Sequence, residues 1–205
     1  LGGHGIPANV GLAAFQHVKE RGAFGNQPPA EESLLEWLKD PLAIDSRQVR
    51  YRFAKQKARY LYAALQKLSA EHPPLGSGKA LRDWLLAIPG IGYKTASWVA
   101  RNWLDADDVA ILDIHIIRAG LLGNFFESNL TVERHYLELE EQFIRFSKGL
   151  GVRASELDAL MWLEMMSSPD TVHSIMGMGY RKPVSIPRRR AKKSKTNSSQ
   201  LPLIG

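Results

Sequence analysis

The chain has 205 residues, 44% of them apolar, with 27 Lys/Arg against 21 Asp/Glu and a formal net charge of +6. That is enough chain for one large domain or two small lobes around a real core. The absence of cysteine excludes disulfides, zinc–cysteine sites and cysteine-ligated iron–sulfur clusters, and fits a reducing compartment.

No run of 18 apolar residues or signal-peptide pattern points to a membrane or to export. The chain opens on a leucine inside a glycine-rich stretch, so the expectation is a fragment whose first helix has been cut. The charge is uneven. Eight of the 27 Lys/Arg fall in residues 181–205, which hold no acid, leaving 19 basic residues against 21 acidic ones, a balance of −2, in the first 180. Attraction for nucleic acid must therefore come from a local patch, from backbone amides or from the tail.

Residues 9–21 read as a helix with Val10, Ala13, Ala14 and Val18 along one side and Gly22 as a stop. Residues 25–29 are a loop. Residues 29–39 form a short helix with Leu34, Leu35 and Leu38 inward, ended before Pro41. Ser46 is expected to open a helix running to about residue 70. It would carry Arg47, Arg50, Arg52, Lys55, Lys57 and Arg59, with Tyr60, Ala64 and Leu68 as its apolar side. Its charges read first as a solvated face and second as a phosphate-facing stripe.

Residues 72–78 are a turn. Two helical patterns follow, 81–87 and 94–103, joined by Pro89-Gly90-Ile91-Gly92. Residues 107–112 are a short apolar run, and Asp113 precedes a helix over 114–122. After a loop at 123–129 comes a long amphipathic helix, 131–149, with Tyr136, Leu139, Phe143 and Phe146 at helical spacing. Ser155 opens the next helix, 156–166, with Asp158 three residues on, as in a capping box. Trp98 and Trp103 are expected in the core. Met176–Tyr180 retain some apolar character, and beyond Lys182 the basic, serine-rich composition predicts disorder. No internal repeat and no hairpin of strands is evident. The class is all-α, with a helical domain over 1–182 and a basic tail over 183–205.

The chemistry concentrates in residues 88–115. Gly90 and Gly92 suit a sharp turn and a close backbone approach. The amide N–H groups that open the following helix suit an anion such as a phosphate. Lys94 sits in that first helical turn, where the positive macrodipole end disfavours an ammonium and favours the nucleophilic free amine. A solvent-exposed structural lysine is the competing reading. Asp113 suits an N-cap. A carboxylate fixed in that way stays ionised and is able to stabilise positive charge developing nearby. His115 reads as a helix-start polar residue or a phosphate contact. No metal-ligand spacing, P-loop or Ser/His/Asp arrangement emerges.

Taken together, Ile88-Pro89-Gly90-Ile91-Gly92-Tyr93-Lys94-Thr95-Ala96 and Ala110-Ile111-Leu112-Asp113-Ile114-His115 resemble the helix-hairpin-helix (HhH-GPD) DNA glycosylase superfamily. Its mark is Leu-Pro-Gly-[Ile/Val]-Gly-x-Lys-x-Ala followed at this spacing by Asp, often as Asp-x-His. The resemblance covers most of residues 30–165. Many members carry a four-cysteine iron–sulfur cluster, which this chain cannot build. A hairpin lysine without a cluster looks most like the compact microbial 8-oxoguanine DNA glycosylase/AP lyases. Tyr51-Arg52-Phe53, Gln56–Tyr60 and Leu157-Asp158-x-x-x-Trp162 are similar to those members as well.

The resemblance implies a two-lobed helical fold with the active site in the cleft between lobes. It implies Lys94 as nucleophile and Asp113 as its electrostatic partner, with Gly90, Gly92, Tyr93 and His115 at a DNA phosphate. Asp158 and Trp162 become candidates for base recognition, against bland readings as a cap and a core residue. The expected partner is double-stranded DNA carrying an oxidised base, bound by a monomer with no cofactor, no metal and no membrane. The expected location is the cytoplasm and nucleoid if the source is prokaryotic. A cluster-less glycosylase for oxidised pyrimidines and a non-catalytic DNA-binding module are the alternatives. The Gly2-Gly3-His4-Gly5 stretch matches no assigned role.

Overall fold

The computed structural model describes residues 1–3 and 5–167. His4, the Met176–Tyr180 stretch, the expected boundary at 182/183 and the basic tail lie outside the described residues. Within them the chain forms eight helices and one two-stranded hairpin, arranged around three hydrophobic clusters.

The first cluster is built by α1 (Ala8–Glu20), α2 (Glu31–Lys39), a small hairpin and α3 (Ala54–Ala70). Ala14 and Val18 of α1 meet Leu34 and Leu38 of α2, and Ala54 and Ala58 of α3 close the cluster. At the end of α1 the Ala23 N–H donates to the Val18 carbonyl and the Gly22 N–H to the Lys19 carbonyl. This Schellman closure needs the positive φ of +85° that Gly22 supplies.

The expectation of a helix opening at Ser46 is corrected. Strands β1 (Leu42–Ile44) and β2 (Arg47–Val49) pair antiparallel, Leu42 opposite Val49. Asp45 and Ser46 turn between them with φ of +46° and +63°, as a two-residue hairpin loop of the primed kind requires. Leu42 faces the core and fixes the register. Arg47, Arg50 and Arg52 therefore precede α3; Ala54, Ala58, Leu61 and Leu65 of that helix face this cluster, while Ala64, as expected, packs inward against the helices that follow. Leu68 is exposed.

The second cluster joins α4 (Gly78–Leu86) and α5 (Tyr93–Leu104) through Leu81, Leu85, Ile88, Ala96 and Ala100. Ser77 caps α4, its Oγ accepting from the Ala80 N–H at 3.1 Å. Ala96 and Ala100 are small, so the two helices approach closely. Trp98 and Trp103, expected in the core, are exposed instead. Trp98 lies about 200° around the helix from Ala96, on the opposite face.

The third cluster is formed by α6 (Ile114–Leu122), α7 (Val132–Leu150) and α8 (Ala154–Ser167), with Leu112, Ile116, Tyr136, Leu139 and Phe143 at its centre. The capping box expected from Ser155 and Asp158 does not form. The helix opens at Ala154, and its first amides are met from outside: the Ser155 N–H donates to Asp107 Oδ1 at 3.1 Å. Asp107 Oδ2 in turn accepts from Arg153 Nε at 2.6 Å. Asp158 is thereby left free to face elsewhere.

Candidate active site

The turn between α4 and α5 is held by one residue that has no alternative. Gly90 has a φ of +84°, and a Cβ there would sit 2.5–2.6 Å from Cε2 and Cγ of Tyr60 on α3. Gly92 differs. It is the N-cap of α5 with φ −100°, and a Cβ there would meet nothing within 4 Å. Nothing inside the described protein demands a glycine at 92, so its smoothness serves the outer surface. Gly92 also brings no side chain to cap α5, in contrast to Ser77 at α4. The amides that open α5 are thus left without a side-chain cap. Tyr93 packs its ring on Tyr136 of α7, centroids 5.0 Å apart and planes 15° from parallel.

Lys94 is the second residue of α5, and Asp113 is the N-cap of α6. They meet across the gap between the two helices, with Lys94 Nζ 3.8 Å from Asp113 Oδ2. The carboxylate divides its work. Oδ1 accepts the His115 N–H at 2.8 Å and the Ile116 N–H at 3.1 Å, while Oδ2 faces the amine. Capping therefore fixes the orientation of the carboxylate, and the expected N-cap is formed while Oδ2 stays turned to the amine. The carboxylate is 10% exposed and the lysine side chain 59% exposed. The amine is thus reachable from solvent, beside a shielded anion.

Both side chains line a cleft of about 400 Å³, in the size range of small-ligand pockets. Its walls include Trp98 and Arg101 from α5 and Asp158 and Trp162 from α8. The cleft thus lies between the α4–α5 core and the α6–α8 core. Asp158, 3% exposed, pairs through Oδ1 with Arg101. Burial pushes the Asp158 carboxyl above its usual range, against the lowering effect of that hydrogen bond.

Asp158 Oδ2, Arg101 Nε and His115 Nδ1 are buried without a hydrogen-bond partner among the described residues. Asp158 and Arg101 line the cleft; His17 Nε2 on α1 is buried and unpartnered among the described residues as well, so the state is not peculiar to the cleft. His115 is set edge-on to Trp162, centroids 6.2 Å apart. Among the described residues no group of three or more His, Asp or Glu is placed to hold a metal.

Arg101 and the cleft-facing role of Trp98 escape the sequence reading. The signal is present all the same: Lys94, Trp98 and Arg101 stand at i, i+4 and i+7, one face of one helix.

A helical fold whose glycine hairpin delivers a lysine against a helix-capping aspartate defines the helix-hairpin-helix glycosylase class. A family model described as 8-oxoguanine DNA glycosylase matches residues 14–152, and the chain belongs to that family. The 8-oxoguanine DNA glycosylase/AP lyase of Methanocaldococcus jannaschii is 32% identical over 117 residues, covering 55% of this chain and 56% of its own length. The protein of the same name from Saccharolobus islandicus is 34% identical over 123 residues, covering 55% and 58%. The crystal structure of the M. jannaschii 8-oxoguanine DNA glycosylase superposes with a TM-score of 0.53 at 30% identity, covering 76% of this chain and 69% of that one. The matched stretch spans little more than half the length of the curated relatives.

Proposed function

We propose that the chain is a bifunctional DNA glycosylase/AP lyase that excises 8-oxoguanine from duplex DNA and nicks the strand through a lysine Schiff base. One observation carries the reading: the 3.8 Å approach of Lys94 Nζ to Asp113 Oδ2 at a cleft of about 400 Å³. The names of the M. jannaschii and S. islandicus relatives support the same activity.

In this reading the damaged nucleotide is rotated out of the stack into the cleft. The Lys94 amine attacks C1′ of its sugar as the C1′–N9 bond breaks. The base leaves with the bonding electrons and takes up a proton. Positive charge gathers on the sugar ring beside Asp113, whose carboxylate is already oriented by two backbone amides and so stabilises it without reorganisation. A proton passes from nitrogen to O4′ as the C1′–O4′ bond breaks, which opens the ring and leaves the Schiff base at C1′. Removal of a C2′ proton then expels the 3′ phosphate, which is β-elimination. Water finally releases the amine.

The amides of the α5 N-terminus and the bare surface of Gly92 suit a backbone phosphate, with Tyr93 and His115 beside it. Such contacts hold the strand without reading its sequence. Trp162 offers a face for stacking the extruded purine. Asp158 Oδ2 offers an acceptor for an N–H on its edge, an arrangement that penalises a base lacking that donor. No cofactor enters any step, and in this reading a monomer is the acting form.

Borohydride trapping on a lesion panel tests the proposal. A covalent adduct and a nick on 8-oxoguanine duplex are expected. Trapping confined to a thymine-glycol duplex indicates an oxidised-pyrimidine enzyme, and binding with no adduct on either indicates a DNA-binding module.

A further inference from the structure

The segment at residues 110–112 runs without regular secondary structure between the end of the second core and Asp113. Ala110 and Leu112 are fully buried, so their backbone polar groups must find partners inside the protein. Two side chains one turn apart on α7 supply them. The Ala110 N–H donates to Glu140 Oε1 at 3.0 Å. The Tyr136 hydroxyl donates to the Ala110 carbonyl at 2.8 Å and accepts from the Leu112 N–H at 3.2 Å. Glu140 is itself held by Arg82 of α4 and by Ser97 Oγ of α5 at 3.4 Å.

Tyr136 lines no part of the cleft, yet it touches the residue that precedes each member of the reacting pair, Leu112 and Tyr93. Its hydroxyl grips the peptide that leads into Asp113, and its ring stacks on Tyr93, the residue before Lys94. We propose that Tyr136 is a positioning residue for the lyase chemistry. Its hydroxyl sets the backbone that aims Asp113, its ring sets the first turn of α5 that carries Lys94, and together they hold amine and carboxylate at reacting distance. The proposal rests on the activity proposed above.

A phenylalanine would fill the same place in the apolar stripe of α7 but leave the buried Ala110 carbonyl and Leu112 N–H without the partner they have here. The hydroxyl therefore fixes this stretch of backbone as well as filling space. Burial pushes the Tyr136 phenol up to about 12, so it keeps the proton it donates to Ala110 throughout the neutral range. Misplacing a reacting group by about 1 Å costs a reaction on the order of 100-fold. The loss of one orienting hydroxyl should fall at or below that.

The experiment is single-turnover kinetics of wild type and Tyr136→Phe on an 8-oxoguanine duplex. DNA affinity, the melting curve and amide exchange at Leu112 are measured alongside. Expected for Tyr136→Phe are a trapping rate down by about 10- to 100-fold, DNA affinity unchanged within about twofold, and faster exchange at Leu112. Tyr93→Leu removes the stack from the partly exposed side and leaves the core intact. It should also slow trapping more than it weakens binding, which keeps the test decisive if Tyr136→Phe fails to fold.

Wild-type rates in both variants overturn the proposal, and so does a lowered melting temperature with an unchanged rate, which marks Tyr136 as packing only. A wild-type protein that forms no adduct instead defeats the activity reading and takes this proposal with it.

Discussion

Gly90→Ala tests how the hairpin is built. The substitution places a Cβ at φ +84°, which costs about 1–3 kcal/mol for a non-glycine residue. The same atom lands 2.5–2.6 Å from two carbons of the Tyr60 ring. A ring face cannot swing aside as a lysine tip does, so overpacking adds about 1–3 kcal/mol. Partial relaxation brings the total to roughly 3 kcal/mol, which for a chain of this size lowers Tm by about 6–12 °C. Thermal melts followed by far-UV circular dichroism measure it.

A double-mutant cycle separates the two costs. Tyr60→Ala in the Gly90→Ala background relieves the clash and leaves the backbone strain, so the pair should show a favourable coupling of about 1–3 kcal/mol. A Gly90→Ala melt within about 2 °C of wild type, or strictly additive losses, would refute the steric account of the hairpin.

Asp113→Asn keeps the capping oxygen and removes the charge. It should cut turnover by about 10²- to 10³-fold with Tm nearly unchanged, whereas Asp113→Ala should lose about 1 kcal/mol of stability as well. Glu140→Gln removes one of the two carboxylates that meet Arg82, whose Nε still donates to Asp83 Oδ1 at 2.9 Å, and should cost about 1–3 kcal/mol by urea unfolding. Burial works against the charge of Asp107, but hydrogen bonds from Arg153 and Ser155 outweigh it and lower its carboxyl below the usual range. Its contribution is therefore present above the unfolded value of about 3.9 and lost as pH falls through the native one. The stability gap between wild type and Asp107→Asn should close in acid. Lys55→Glu with Arg59→Glu tests the phosphate-stripe reading of α3. If both cations face phosphates, the slope of log K against log salt should fall by about 0.9 for each phosphate no longer neutralised.

Much of the site is legible in the sequence because its signals are local. The helix after Asp113 begins and ends where capping and periodicity place it, at Ile114–Leu122. The hairpin glycines lie between the two helices expected around them. The strand pair at 42–49 is hidden because its strands have three residues each and its turn is Asp-Ser, without the glycine that normally marks two successive positive φ values. The arginines after it then look like the start of α3.

Hydrophobicity alone sends Trp98 to the core. The arithmetic that puts Ala96 and Ala100 inward puts it outward, beside the lysine. Glu140 is the opposite case: it stands on the buried stripe of α7 between Tyr136 and Phe143, where a charge signals a buried partner. Which partner is a long-range fact, because Arg82 and the Ala110 amide reach it from other elements. Side-chain pairing of that kind is set by packing, beyond the reach of sequence spacing.

In the proposed reaction one amine, 3.8 Å from one carboxylate, forms the bond to DNA. Borohydride trapping with 8-oxoguanine duplex, run on wild type and Lys94→Gln side by side and followed by peptide mapping of the adduct, tests it most directly. Expected are a wild-type adduct on the peptide containing Lys94, and no adduct but retained DNA binding in Lys94→Gln. A Lys94→Gln protein that still traps, or a wild-type adduct mapped to another amine, contradicts it.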